Sequence, residues 1–441
     1  MLALVSLVVL SQWASGPHNE HMRESRRLGE RSLVGQQYAF FEFAPANGNN
    51  MGAVCACTTP SGAKGETMTF DRASSATCTK TATGGLALTG IADGDLVTCS
   101  TNQPRVVYDS GGVKGILVEK TRTNIAIRSQ EFDNAAWADF TAGAGVAPTK
   151  NAADSTTAPD GTTTAETVTF GATGAADSSG LSQTILTATA YSASIYARGN
   201  ATTASGTFDV CMDNAATADC VSCSYVLASW TRCTLSNITS KASGLVYVGN
   251  LSSLNGGTVR SGQTVTLWGA QAEASKYVTS YIPTTSAAVA RNRDRPAFAL
   301  SNGLALGSMA ISVDYLGTSD SPLALTVTTD GSDLWELYVS GTGLATPLAF
   351  THVGASNDQV NSAVTIPYST ASRLVQYRSA TPELCVKVNA TQVCDGTGVA
   401  ATITTSGGAG VAWPGGYTTA NENWGGIVSR VCIDPSPDRC R

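Results

Sequence analysis

"LWGAQAEASKYVTSYIPTTSAAVAR", residues 267–291, opens like a buried strand and closes in a Pro/Thr/Ser run. Period-2 alternation puts Leu267 and Gly269 on one side of a strand and Trp268 on the other. Pro283 has no amide to give a sheet ladder and holds Ile282 extended, so the residues after it read as a linker. A domain therefore closes near residue 283, and the chain runs on to Arg441.

Working outward, the same style of strand recurs. Between Thr123 and Pro283 the runs "AETVTF", "YSASIYARG", "GTFDVCM", "GLVYVGN" and "QTVTLWGAQ" alternate between turn signals such as the Asp-Gly of "TAPDGTTTAE". From Arg295 the pattern returns in "GSMAISVDYLG", "DLWELYVSG", "SRLVQYRS" and "ELCVKVNATQVCDG". Residues 51–122 are Gly/Thr-rich with shorter pieces, "ETMTF" and "GILVEK". Composition agrees: charged residues make up 14% of 441 and glycine numbers 44, which leaves few of the Leu, Glu, Lys and Arg that clothe long helices. The expected fold class is all-β, with tandem β-sandwich (jelly-roll) domains behind an N-terminal anchoring region. The expected division is 1–122 for that region, 123–283 for a jelly roll, 284–294 for a linker, and 295–441 for a second sandwich. Residues 1–16 carry an apolar run too short to span a bilayer, read as a buried anchor, and "EHMRESRRLGERSLV" pairs Glu and Arg at helical spacing.

A net charge of −6 leaves no basic field for a phosphate backbone, so nucleic acid is not an expected partner. The three histidines, His18, His21 and His352, are too few and too scattered for a His-based triad or a multi-His metal centre. No cofactor and no metal are expected: Asp330, Ser332 and Asp333 lack an Asp-rich calcium loop around them, and the Gly-rich pieces lack the strand-loop-helix context of a phosphate cradle.

The 12 cysteines fall into groups: Cys55, Cys57, Cys78, Cys99; Cys211, Cys220, Cys223, Cys233; Cys385, Cys394, Cys432, Cys440. Even numbers per segment favour local disulfides in an oxidising setting. If Asn389 and Ala390 form a two-residue hairpin loop, Cys385 falls opposite Cys394 on a non-hydrogen-bonded pair, within disulfide reach. The same counting matches Cys223 with Cys233 and Cys211 with Cys220; Cys432 and Cys440 are also counted as disulfide cysteines, and the first group keeps three connectivities.

"TFDRASSATCTK", "NQPRVVYD", "GILVEKTRTNIAIRSQEFDNAAW", "APDGTTTAETV" and the opening stretch together resemble, in order, a recurrent module of tailed-bacteriophage virion proteins: tail fibres, head fibres and minor structural proteins. The middle part resembles a carbohydrate-binding-module jelly roll, and the last third a concanavalin or laminin-G sandwich. The cysteines depart from that family's general pattern. The resemblance implies a non-enzymatic virion appendage, exterior on the particle. It would be attached to capsid, portal or tail through its N-terminal region, trimeric as phage fibres are, and adhesive toward host-surface glycans.

Sugar rings stack on aromatic faces. Candidates are Trp413 and Trp424, which border Gly-rich loops, and Trp137, Tyr191 and Tyr196 in the middle domain; Trp230 and Trp268 are weighed too but sit in strand patterns that read as core. An enzyme, a virion-borne depolymerase, would need two of Glu119, Glu131, Asp133, Glu273, Asp314, Asp330, Asp333 and Glu336 to converge across a sugar. A secreted bacterial adhesin is the third reading, with the same chemistry and a different owner.

Overall fold

A computed structural model describes residues 39–42, 68–79, 89–109, 112–151, 156–185, 190–213, 218–239 and 244–299. Beyond these it describes 310–317, 323–328, 334–340, 344–353, 356–362, 364, 366–367, 371–378, 384–395, 410–412 and 426–434. The apolar run of residues 1–16 and the charged segment after it lie outside the described residues, as do Trp413, Trp424, Cys55, Cys57 and Cys440.

The described chain is all-β and builds two sandwiches. In the first, one layer runs β10 (Thr149–Lys150), β11 (Glu166–Phe170), β18 (Gln263–Glu273), β13 (Ala190–Arg198), β16 (Trp230–Thr239), β4 (Thr89–Ile91). The facing layer runs β15 (Asp219–Val226), β14 (Ser205–Asp213), β17 (Leu245–Asn250), β12 (Ser178–Thr184), β9 (Ala138–Ala142). Val168, Ile195, Leu235 and Leu267 from the first layer meet Leu181, Phe208, Val210 and Val248 from the second in one buried cluster. Burial of such side chains, at roughly 25 cal/mol per Å² of apolar surface, is the main force holding the layers together.

The second sandwich has a sheet ordered β29 (Thr391–Asp395), β28 (Leu384–Val388), β27 (Ala371–Arg378), β21 (Ala310–Gly317), β31 (Gly426–Asp434), β7 (Gly112–Val118), β6 (Arg105–Asp109), with β1 (Ala39–Glu42) also on β31. Its other sheet is β2 (Met68–Asp71), β20 (Arg295–Ala299), β30 (Gly410–Ala412), β22 (Leu323–Thr328), β23 (Leu334–Ser340), β24 (Leu344–Val353), β25 (Ser356–Asn361), with β26 (Ile366–Pro367) on β24. Two short ribbons complete the set: β3 (Ala76–Thr79) with β5 (Leu96–Cys99), and β8 (Arg122–Asn124) with β19 (Val289–Arg291).

The division at 122 does not hold as a boundary between bodies. β2 pairs with β20, β7 pairs with β31, and β4 pairs with β16, so the stretch before residue 122 contributes strands to both sandwiches. Nor is 284–294 a free linker. Thr284 is buried, with its hydroxyl donating to Ala126 O at 2.6 Å and its amide to Ser129 Oγ at 2.9 Å, and β19 is a strand. The opening stretch also departs from strict alternation. Leu267 faces the inner cluster and Trp268 the outer side, but a register shift opposite Ile195 follows, with Gly269 at φ 66°. The extra residue moves Ala270 and Ala272 onto Leu267's face, as a bulge with a left-handed glycine does.

The outer side of β18 is not solvent-facing. Tyr196, Trp230 and Trp268 are covered there by Ile91, Leu96, Ala158, Ala165 and Tyr281, a second buried cluster. Trp230 Nε1 donates to Asp93 Oδ1 at 2.8 Å and Trp268 Nε1 to Thr164 Oγ1 at 3.0 Å, so each indole is satisfied inside.

Where the segments meet, charges are buried together. Arg72, Arg105 and Arg291 converge on Asp294 and Glu119, all within 4% of full burial. Arg72 Nη1 reaches Asp294 Oδ1 at 2.9 Å, and Arg105 bridges Glu119 Oε2 at 2.5 Å and Asp294 Oδ2; Arg291 also contacts Glu119 Oε2. Ser280 completes the group, donating its hydroxyl to Glu119 Oε2 at 2.8 Å and accepting from both Arg105 and Arg291 at 2.6 Å. Burial alone would raise the Glu119 carboxyl, but Arg291 and Arg105 beside it hold it well below the usual carboxylate range. Arg72, Arg105, Glu119 and Arg291 lie inside the segments that carried the family resemblance, with Asp294 just beyond.

Among the described residues four disulfides are formed: Cys78–Cys99, Cys211–Cys220, Cys223–Cys233 and Cys385–Cys394. Cys385 opposes Cys394 beside the Asn389–Ala390 turn, with Asn389 at φ 52°, and Cys211 opposes Cys220 between β14 and β15. Cys223–Cys233 differs from the hairpin expectation, because β15 and β16 belong to facing layers and the bond crosses the core between them.

Candidate functional site

Trp137 and Tyr191 are not sugar platforms. Trp137 is fully buried, its Nε1 donating to Arg128 O at 3.0 Å and its ring 5.3 Å from Phe132, and Tyr191 is fully buried in the inner cluster. A strand position with apolar neighbours in both layers absorbs an aromatic ring into the core, which residue type alone does not reveal. Among residues whose burial is described, Phe140 and Tyr277 are the half-buried aromatics and the rest are buried. An open stacking surface is therefore absent from that set.

The outer face of the five-stranded layer holds a polar group instead. β14 and β15 pair without a bulge, which sets Asp209 opposite Ser222. The non-hydrogen-bonded register brings their side chains close on one face, with Ser222 Oγ donating to Asp209 Oδ1 at 2.8 Å. The turn after β17 lays residues 251–260 across the same face. There Asn255 Nδ2 donates to Asp209 Oδ1 at 2.7 Å, and Arg260 grips the carboxylate through Nη2 to Oδ1 and Nε to Oδ2 at 3.2 Å. The Leu251 amide adds a bond to Oδ2 at 3.3 Å. Thr173 pairs with Arg260 across an isolated bridge and fixes the turn.

This arrangement is a buried acid used as an anchor. Asp209 is 0% exposed, and its oxygens are occupied by an arginine, an amide, a hydroxyl and a backbone N–H. The saturated carboxylate preorganises Arg260 and Asn255 at the surface. Among the described bonds, Arg260 Nη1 is left as a donor and Asn255 Oδ1 as an acceptor, beside the exposed Ser222. A donor and an acceptor held side by side suit a vicinal pair of hydroxyls. Sequence pattern offered one signal, the charged Asp209 inside the apolar strand "GTFDVCM"; its partners Asn255 and Arg260 sit in a turn whose path no local pattern fixes.

Several candidate acids of a glycan-cleaving site are engaged with other groups, as Glu131 is with Arg128. Glu119 and Glu273 are buried in polar networks. Asp133 meets Glu166, a buried carboxyl missed from sequence: the Asp133 amide donates to Glu166 Oε2 at 2.8 Å and the two carboxyls hydrogen-bond. That contact is too close to admit a sugar between them. Burial first, then the Asp133 charge, pushes Glu166 up to about 8. Asp330 and Asp333 lie outside the described residues. Among the described residues no three His, Cys, Asp or Glu side chains gather as metal ligands, and no helix is long and apolar enough to cross a membrane.

No family model matches the chain, and no curated protein matches its sequence. Several solved structures align with parts of the chain. A heptameric SAP-like pentraxin from Limulus polyphemus aligns at 14% identity over 29% of this chain and 64% of its own, with TM-score 0.24. Mouse laminin α1 domains LG4-5 align at 13% identity over 55% of this chain and 81% of theirs, again with TM-score 0.24. A structure of botulinum neurotoxin type C aligns at 10% identity over 33% of this chain and 37% of its own, with TM-score 0.25. At these scores the likenesses carry no argument about this chain.

Proposed function

We propose that the chain is a non-enzymatic adhesive and structural protein. It would present its sandwiches on the exterior of a phage particle, as a head or tail fibre or decoration, and meet host-surface glycans through the outer face of the five-stranded layer. The observation that carries the glycan reading is the Asp209 anchor, which holds Arg260 and Asn255 side by side with an unused donor and acceptor. The fold supports durability outside cells: disulfides staple short hairpins, and charge is scarce at 14% of residues. The virion assignment is supported by the ordered likeness of the segments around Arg72, Arg105, Glu119 and Arg291 to phage appendage proteins.

A glycan array with the oxidised protein tests the binding. Asn255→Ala and Arg260→Lys should lower the retained signal at least tenfold while near-UV circular dichroism stays unchanged; wild-type protein that retains no glycan overturns the reading. Incubation with host polysaccharide should release no reducing ends. Antibody labelling of intact particles under the electron microscope should decorate head or tail, and unlabelled particles would remove the virion assignment.

A further inference from the structure

The structure assigns a second role to β15: its free edge is the contact through which two copies of this chain join into one continuous sheet. Cys211 and Cys220 lie opposite each other with Cα atoms 4.1 Å apart, the spacing of a non-hydrogen-bonded pair. Alternation then makes Cys220, Ser222 and Ser224 residues whose N–H and C=O point away from β14. Among the described residues none of these groups has a backbone partner, and Ser222 and Ser224 are exposed.

Natural edge strands guard against such pairing with shortness, charge, proline or bulges. The other edges of this sandwich do so. β10 is 2 residues long and carries Lys150, β4 is 3 residues with Gly90 inside, and β9 carries Asp139. β15 runs for 8 residues, and after Asp219 it has neither charge nor proline, and no bulge against β14. It is also held on both faces, by Cys211–Cys220 on the outer side and Cys223–Cys233 toward the core. Two staples on an edge strand make a flat, rigid template and lower the ordering cost of association.

The edge is complementary to itself. An antiparallel pairing about a two-fold axis sets Ser222 opposite Ser222 of the partner subunit and Cys220 opposite Ser224 of the partner subunit, with no like charges facing. The result is an isologous dimer, in which both five-stranded layers share one outer face. At about 4.8 Å between strands, the two Asp209 anchors would sit about 14 Å apart on that face, a bivalent arrangement.

Sedimentation velocity on the oxidised full chain, from low to high micromolar, tests this without any glycan. Wild-type protein should shift reversibly from monomer to dimer, whereas Ser224→Pro, which deletes one outward N–H and leaves the β14 ladder whole, should stay monomeric. A wild-type monomer at every concentration, or a Ser224→Pro protein that associates like wild type, overturns the proposal. Should the proline variant not fold, hydrogen exchange of the wild-type 219–226 segment decides: protection that rises with concentration supports the edge contact, and protection independent of concentration overturns it.

Discussion

At the scale of single residues, stability hangs on a few buried charges. Asp294 is shared by Arg72 and Arg105 and also accepts from the Glu119 amide at 2.8 Å. Its replacement by alanine leaves the Arg72 guanidinium buried without an anion and Arg105 with Glu119 alone. Asp294→Ala should therefore cost about 3–5 kcal/mol, read as a lowered midpoint in urea. Two carboxyls give opposite pH dependence. Glu119 is held below its ordinary range, so its contribution is present above that range and is lost as pH falls through it. Glu166, pushed up to about 8, binds a proton in the fold that the unfolded chain releases, so its effect on stability is lost as pH rises from the ordinary carboxylate range toward 8. Stability from urea denaturation should fall by at most about 1.4 kcal/mol per pH unit across that window, and Glu166→Gln should flatten the fall. None of these roles was legible in the sequence. An arginine in "TFDR" or "ARNRD" reads as surface charge until chain segments more than 200 residues apart are seen to meet, as Arg72 and Asp294 do.

At the scale of elements, local pattern and local chemistry were readable together. The hairpin around Asn389 and the opposition of Cys385 to Cys394 follow from counting, because a two-residue turn fixes register. The bulge in β18 escaped, since strict alternation cannot see one inserted residue. Gly269 is its signal in retrospect: a Cβ there would stand 3.1 Å from the Tyr196 ring at a left-handed φ. Gly269→Ala should cost about 1–2 kcal/mol and blue- or red-shift the nearby Trp268 fluorescence as the outer cluster repacks. Cys223–Cys233 closes a separation of 10 residues between facing layers, and Cys223→Ala with Cys233→Ala should lose about 2–3 kcal/mol by chemical denaturation.

At the scale of the whole molecule, composition and periodicity told the class, all-β, and the number of sandwiches. They did not tell which strands belong to which. Pairings such as β2 with β20 and β7 with β31 close very long loops, and nothing in a run of alternating residues names a partner so distant. The consequence is thermodynamic. A chain begun at Thr123 loses β4 and, with Ile91 and Leu96, part of the cover over Trp230 and Trp268, and its tryptophan emission should move toward that of solvent-exposed indole. Calorimetry of the full chain should show the sandwiches melting as one transition rather than two. The charged knot of Arg72, Arg105, Glu119, Arg291 and Asp294 also has a mechanical meaning. It ties the residue after β2, β6, the end of β7, the end of β19 and Asp294 beyond it at a single point, so tension drawn along the chain should load its contacts in parallel. A fold wired in this way should yield all at once under a high pull and creep little before it does.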